Sequence, residues 1–175
     1  NSVVIFGGNF PLHLNNCHSS IESIKQVETQ PDEFFLGNGK YETLQDSFKN
    51  EVLKVAKQNI VILIYPIPEM DENVPQKLFN ARYTQREKNQ SISIAYESYK
   101  LQTERSFKLL DSIKHRNIRR VYPHKLFCDE SYDGICISHT KDELFYIDNI
   151  HPSIEGAEII NNLLISEILD IKNFN

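Results

Sequence analysis

The run Ile60-Val61-Ile62-Leu63-Ile64-Tyr65, stopped by Pro66-Ile67-Pro68, most narrows what this chain can fold into. An unbroken stretch of β-branched and aliphatic residues has no polar face to offer water, so it reads as a strand buried on both sides, the habit of parallel sheets. Proline ends it, because proline cannot donate to a ladder. Val3-Val4-Ile5-Phe6, closed by Gly7-Gly8-Asn9, reads the same way, as a strand covered on both faces. Ile118 to Tyr122, stopped by Pro123, is a third, shorter strand.

Helical patterns lie between and after these runs. Thr43-Leu44-Gln45-Asp46 has the form of a capping box, and Leu44, Phe48, Val52 and Val55 follow at helical spacing to about Lys57. From about Gln76 to Lys114 the pattern is helical again, weakly around Leu78 to Arg82 and strongly through Ala95, Tyr99, Phe107 and Leu110. Ser153 caps a last helix whose Ala157, Ile160, Leu164 and Ile168 form one apolar face. Residues 11 to 42, with Pro11, Pro31 and Gly37-Asn38-Gly39, read as a long loop with room for one short helix. Strands alternating with helices predict an α/β fold with a parallel sheet. In such sheets ligands sit beyond the carboxyl ends of the strands, which directs attention to the segments after Phe6, Tyr65 and Tyr122.

Composition sets the outer bounds. With 175 residues, 40% hydrophobic and 25% charged, the chain has the size and make-up of one globular domain. The formal net charge of -5, with Lys and Arg scattered among Asp and Glu, gives no footprint for a phosphate backbone, so nucleic acid is not an expected partner. The apolar run Ile60 to Ile64 is far short of the ~20 residues of a membrane helix.

Cys128 and Cys136 bracket a segment rich in turn residues. A disulfide there would hold the loop and place the protein in an oxidising compartment, and two separate thiols in a reducing one is the alternative. Cys17 is left over, as a buried or free thiol. His13 and His18 flank it, but without a fourth ligand at suitable spacing they read as a polar loop, and no metal is expected. His124 and His139 lie in loops, where they line a cleft or face water, and the charges from Arg82 to Arg105 read as a solvated helix face.

The residues that point to chemistry are Asp148 and His151 in Tyr146-Ile-Asp148-Asn-Ile-His151-Pro-Ser153-Ile-Glu-Gly156-Ala157. A base that deprotonates a hydroxyl needs one imidazole nitrogen free to accept, while the other donates to a carboxylate that fixes the tautomer and steadies the imidazolium. One short turn from Asp148 to His151 supplies that pair. On spacing alone the plain alternative is a turn-capping aspartate and a histidine at the start of a helix.

The wider string, Tyr-x-Asp-x-x-His-x-Ser-x-x-Gly-Ala, resembles the last sequence block of the SGNH hydrolase superfamily. The variant is that of the periplasmic SGNH domain of acyltransferase-3 type membrane proteins that O-acetylate bacterial surface sugars. Val61 to Glu69 with Val74-Pro75, then Val121-Tyr122-Pro123 and the pair Cys128 and Cys136, are similar to that family's segments in the same order. The resemblance implies a three-layer, flavodoxin-like α/β sandwich over residues 1–175, with no metal and no cofactor. Gly7-Gly8-Asn9 is similar to the superfamily's Gly-x-Asn block, which makes Asn9 an oxyanion donor.

The same resemblance places the nucleophile in a Gly-Asp-Ser motif, and no Gly-Asp-Ser occurs in these residues. Ser19 and Ser20 have nothing around them that resembles a nucleophile elbow. The expectation is therefore a domain completed by an upstream segment that carries the serine and the first strands. The partners it implies are a carbohydrate acceptor and a transmembrane acyltransferase domain on the same polypeptide, at the periplasmic side of a bacterial inner membrane. An esterase with water as acceptor, or a non-catalytic module binding glycan or protein, are the alternatives.

Overall fold

The computed structural model describes residues 2–11, 43–84, 92–128 and 132–173. The loop predicted over 11 to 42, with Cys17, His13, His18, Ser19 and Ser20, lies almost wholly outside them. The chain divides into two compact units, one of Asn1–Pro66 with Gln102–Tyr122 and one of Ile67–Leu101 with Pro123–Asn175. Each is described by itself.

The first unit is built on the three apolar runs. Strands β1 (Val3–Phe6), β2 (Ile60–Ile64) and β4 (Ile118–Val121) form a parallel sheet in the order β1-β2-β4, which gives the α/β class expected from the sequence. Val4, Val61 and Ile118 stand in one apolar row across the sheet, whereas Arg119 and Arg120 of β4 stand opposite Ile62 and Leu63. Val61, Ile62 and Leu63 are fully buried, as their unbroken apolar run demands. Each such side chain contributes roughly 1.5–3 kcal/mol relative to exposure.

Strand β1 departs from expectation. Val3 and Ile5 are exposed, at 39% and 43%, while Val4 and Phe6 are half-buried, so the strand is not covered on both faces. The physical reason is its place at the edge of the sheet, where nothing among the described residues packs on the face that carries Val3 and Ile5.

Helix α1 (Leu44–Ala56) packs on β2. Thr43 caps its start as expected, Asp46 N donating to Thr43 Oγ1 at 3.1 Å, while the Asp46 carboxylate takes the Thr43 hydroxyl at 2.8 Å instead of the backbone N–H that a full box would use. Val52 and Ala56 enter the core beside Val61, Leu63 and Leu110. Phe10, which follows the Gly7-Gly8-Asn9 turn, seats its ring against Phe48 at 5.7 Å, so the loop after β1 is anchored into this core.

The stretch from Gln76 to Lys114 is not one continuous helical pattern. Helix α2 (Val74–Thr84) starts earlier than expected, with Asn73 Oδ1 accepting from Gln76 N at 3.0 Å. Strand β3 (Ser93–Ala95) follows, then helix α3 (Tyr96–Ser112). Ala95 is thus a strand residue. Ile92-Ser93-Ile94 alternates with period two, and β3 pairs antiparallel with β5 (Ile135–Ile137), Ile94 standing opposite Cys136. Long-range pairing has overridden a weak helical spacing. The charges of α3 do form a solvated face, with Lys100 on Glu97 and Lys108 on Glu104.

In the second unit Cys128 and Cys136 are joined in a disulfide. It ties the 3-10 turn Pro123–Leu126 to β5, and Ile137 N donates to Phe127 O at 2.8 Å beside it. His124 neither lines a cleft nor faces water: it is buried and stacked on Tyr99, and burial, with Lys125 beside it, pulls its imidazole down to about 4. His139 is half-buried, its ring against Thr140 O.

Helix α4 (Ile154–Asn173) opens where the sequence places it. Ser153 Oγ accepts from Gly156 N at 3.0 Å and donates to Leu144 O. Ser153 N also donates to Phe145 O at 2.9 Å, so the first turn of α4 lies flat on the 144–146 backbone. A Cβ added to Gly156 would stand 2.2 Å from Phe145 O, closer than any real contact. Only glycine fits there.

These contacts set two expectations for stability. Gly156→Ala must push α4 off the Phe145 carbonyl at a cost on the order of 1–3 kcal/mol, read as a lowered urea midpoint; an unchanged midpoint would show that the helix start yields freely. Replacing both Cys128 and Cys136 by Ser removes a short-loop crosslink that contributes about 2–3 kcal/mol. Thermal unfolding should then come several degrees lower, and the same loss should appear when the native protein is reduced.

Candidate active site

Asp148 and His151 meet in the loop just before α4. His151 Nδ1 lies 2.7 Å from Asp148 Oδ2, and the other carboxylate oxygen, Oδ1, accepts from Ile150 N and His151 N, both at 2.7 Å. One aspartate therefore does two jobs: it closes the turn on the backbone and holds the ring of the histidine at its end. The spacing of three residues is what lets a single carboxylate reach both. A side chain longer or shorter than Asp would miss one set of partners.

The loop is braced from both sides. Ile147 N donates to His151 O at 3.0 Å, which closes the turn, and Tyr146 bridges to Pro152. From the segment that follows β2, Met70 N donates to Asn149 O at 2.8 Å and Val74 N to Asp148 O at 3.3 Å. Tyr146, fully buried, donates its hydroxyl to Pro68 O at 2.8 Å. Burial, with the charge of Glu69 second, pushes that phenol well above its ordinary range, so it stays a donor at any physiological pH. Tyr146 itself packs against Phe127, which carries the disulfide-bound segment behind the loop.

Electrostatics follow from this geometry. Partial burial raises the Asp148 carboxyl, but the backbone and ring of His151 and the Ile150 N–H outweigh it, and the group sits below the usual carboxylate range. It is ionised at neutral pH. Nδ1 must then carry the proton that this carboxylate accepts, which leaves Nε2 as the acceptor. Nε2 has no hydrogen-bond partner among the described residues, and the imidazole is 64% exposed. The pair can therefore take a proton from an incoming hydroxyl, hold the resulting imidazolium against Asp148, and return the proton later.

Asn9 stands half-buried in the loop after β1, beyond the carboxyl end of that strand and fixed by the turn in which Phe10 N donates to Gly8 O at 3.0 Å. It belongs to the first unit, and the Asp148–His151 pair to the second. Among the described residues no group of His, Cys, Asp and Glu is arranged to hold a metal. Sequence reasoning did not anticipate Tyr146 as a buried strut or Gly156 as a point of close approach, although both stand in the quoted string. It also missed a cluster in the first unit, where Tyr65 donates to Asp111 Oδ1 at 2.5 Å and accepts from Arg120 Nε at 3.2 Å. Burial, then the bond to Asp111, pushes the Tyr65 phenol far up, so it too remains protonated.

No curated protein and no solved structure resembles the chain closely enough to count. No helix among the described residues is long and apolar enough to cross a membrane. A family model described as "SGNH domain (fused to AT3 domains)" matches residues 1–166, nearly the whole chain. With its parallel α/β sheet and its C-terminal Asp-x-x-His block, the chain belongs to the family of SGNH domains fused to AT3 domains.

Proposed function

We propose that this domain transfers an acetyl group to a hydroxyl of a bacterial surface polysaccharide through a serine ester. The observation that carries the reading is the 2.7 Å bond from His151 Nδ1 to Asp148 Oδ2, in an imidazole that is 64% exposed. That is the arrangement of a general base with its orienting carboxylate.

In the first half of the reaction a serine hydroxyl attacks the acetyl carbonyl of the donor. His151 Nε2 takes the hydroxyl proton, then gives it to the leaving group as the tetrahedral intermediate collapses to the serine ester. In the second half the sugar hydroxyl attacks that ester, His151 takes its proton, and collapse returns the proton to the serine oxygen. Asp148 stays ionised throughout and holds the imidazolium. The side-chain amide of Asn9 donates to the oxyanion in both intermediates. No metal or bound cofactor enters the scheme.

The family pattern puts the serine in a Gly-Asp-Ser motif, which these residues do not contain. An upstream segment completing the domain is the source the family pattern suggests. The fusion to AT3 domains in this family supports a donor delivered by a transmembrane partner on the same polypeptide, with this domain on the periplasmic side. The Cys128–Cys136 disulfide fits an oxidising compartment of that kind.

In the full-length protein His151→Ala should lower turnover of an acetyl ester by about 10²–10⁴-fold while leaving thermal unfolding unchanged. Asn9→Ala should cost about 10²–10³-fold in kcat. Turnover close to that of the natural protein in the His151 variant would remove the assigned base. Adding a sugar acceptor to the same assay separates transfer, seen as acetylated sugar, from hydrolysis, seen as free acetate alone.

The Asp148 carboxyl supplies an independent check. Its folded-state pKa is depressed, so the stabilisation it gives the loop is present above the unfolded value and is lost as pH falls through the folded one. In NMR titration Asp148 should therefore turn over below the ordinary value of 3.8. A midpoint at or above 3.8 would mean that the bond to His151 is not kept in solution.

A further inference from the structure

A basic cluster stands in the first unit, whereas the Asp148 loop belongs to the second. Lys114-His115-Arg116, between α3 and β4, is followed by Arg119 and Arg120 on β4, a concentration of positive charge in a chain of net charge -5. The reading of scattered charge overlooks it. In the first unit Lys114, His115, Arg116 and Arg120 line an open cleft of about 660 Å³ together with Asp111 and Tyr122.

Three observations show what this cleft is built to hold. Lys114 and Arg116 are exposed and have no ion-pair partner among the described residues, whereas the lysines of α3 are matched to glutamates. Their charge is available to a ligand. Arg120, in contrast, is fixed: it donates from Nη2 to Ile113 O at 2.7 Å and from Nε to Tyr65 Oη at 3.2 Å. The buried Tyr65 also packs its ring against Tyr122 at 4.4 Å, so the aromatic wall of the cleft is held in place from behind.

We infer that this cleft binds an acidic saccharide, its carboxylate or phosphate on Lys114, His115 and Arg116 and its ring against Tyr122. The inference rests on the carbohydrate reading of the previous section and names a negatively charged glycan as the class of sugar this domain binds. A volume of about 660 Å³ is far more than a single phosphate fills and lies in the range of small-molecule sites. An aromatic face beside charged donors suits a ring with a polar rim, and Asp111 offers an acceptor to hydroxyl groups. A membrane surface fits less well. The lining offers no exposed aliphatic side chain for insertion among acyl chains, which a membrane-binding face would need.

The test is direct binding to the full-length protein by calorimetry, with oligogalacturonate as the acidic probe and a neutral galacto-oligosaccharide of equal length as its control. Inorganic phosphate and phosphatidylglycerol vesicles serve as further arms. Oligogalacturonate should bind, the neutral sugar at least tenfold more weakly, and the double variant Lys114→Ala, Arg116→Ala should lose tenfold or more of the affinity for the acid. Both side chains are exposed, so the fold should be unaffected, and unchanged thermal unfolding checks this. Equal binding of both sugars, unchanged affinity in the double variant, or binding to the vesicles alone overturns the proposal. Acetyl-ester turnover, measured on the same samples, keeps the two readings apart. Binding of the acid without acetyl transfer leaves the cleft standing and removes the transferase. Transfer to neutral sugars with no binding of the acid does the reverse.

Discussion

The close approach of α4 to the backbone at Phe145 is the constraint on which the candidate site depends. Gly156 permits it, and Ser153 fixes it by accepting from the helix and donating to Leu144 O. Once the helix start is pinned there, Pro152 and Tyr146 are drawn together and the residues between them must form a tight loop. Asp148 closes that loop on its own backbone. His151 therefore holds its position because its backbone is determined on both sides, and its ring needs only one further bond to be oriented.

This view changes what the sequence block means. In Asp-x-x-His-x-Ser-x-x-Gly only the first two named residues can do chemistry, while the serine and the glycine supply the geometry that makes the first two useful. A carboxylate and an imidazole in hydrogen-bond contact are common on protein surfaces and are worth little there, because two mobile side chains must be ordered to make the bond. Here the ordering has already been done by the backbone, through the Asp148 Oδ1 bonds to two successive N–H groups. The depressed carboxyl is the electrostatic trace of the same arrangement.

Much of this was legible before any coordinates. The unbroken run Ile60 to Tyr65 and its proline stop gave β2, the Thr43 box gave the start of α1, and Ser153 gave that of α4, since each signal is local and each has a single physical reading. The errors came where local signals were silent or outvoted. Val3 and Ile5 look buried by composition, but burial depends on neighbours that composition does not name. Ile92 to Ala95 carry a weak alternation that only becomes a strand because Ile135 to Ile137 pair with it. His124 could not be placed in the core from its neighbours in sequence, because the ring it stacks on belongs to Tyr99.

The basic cleft shows the same division between local and distant information. Lys114, His115 and Arg116 are visible as a cluster in the sequence, and a cluster alone is most often a solvated loop. What distinguishes this one is Arg120 locked to Tyr65, and Tyr65 locked to Asp111 and Tyr122, a network made by residues from the segment after β2, from α3, from β4 and from the segment after it. A wall already held in place lowers the ordering cost that the protein itself meets when a ligand settles against it. Buried tyrosines thus do comparable work in both units: Tyr146 braces the loop that orients His151, and Tyr65 braces the face on which a charged sugar would rest. In each case burial keeps the phenol protonated at physiological pH, so it goes on donating its one hydrogen to a fixed oxygen.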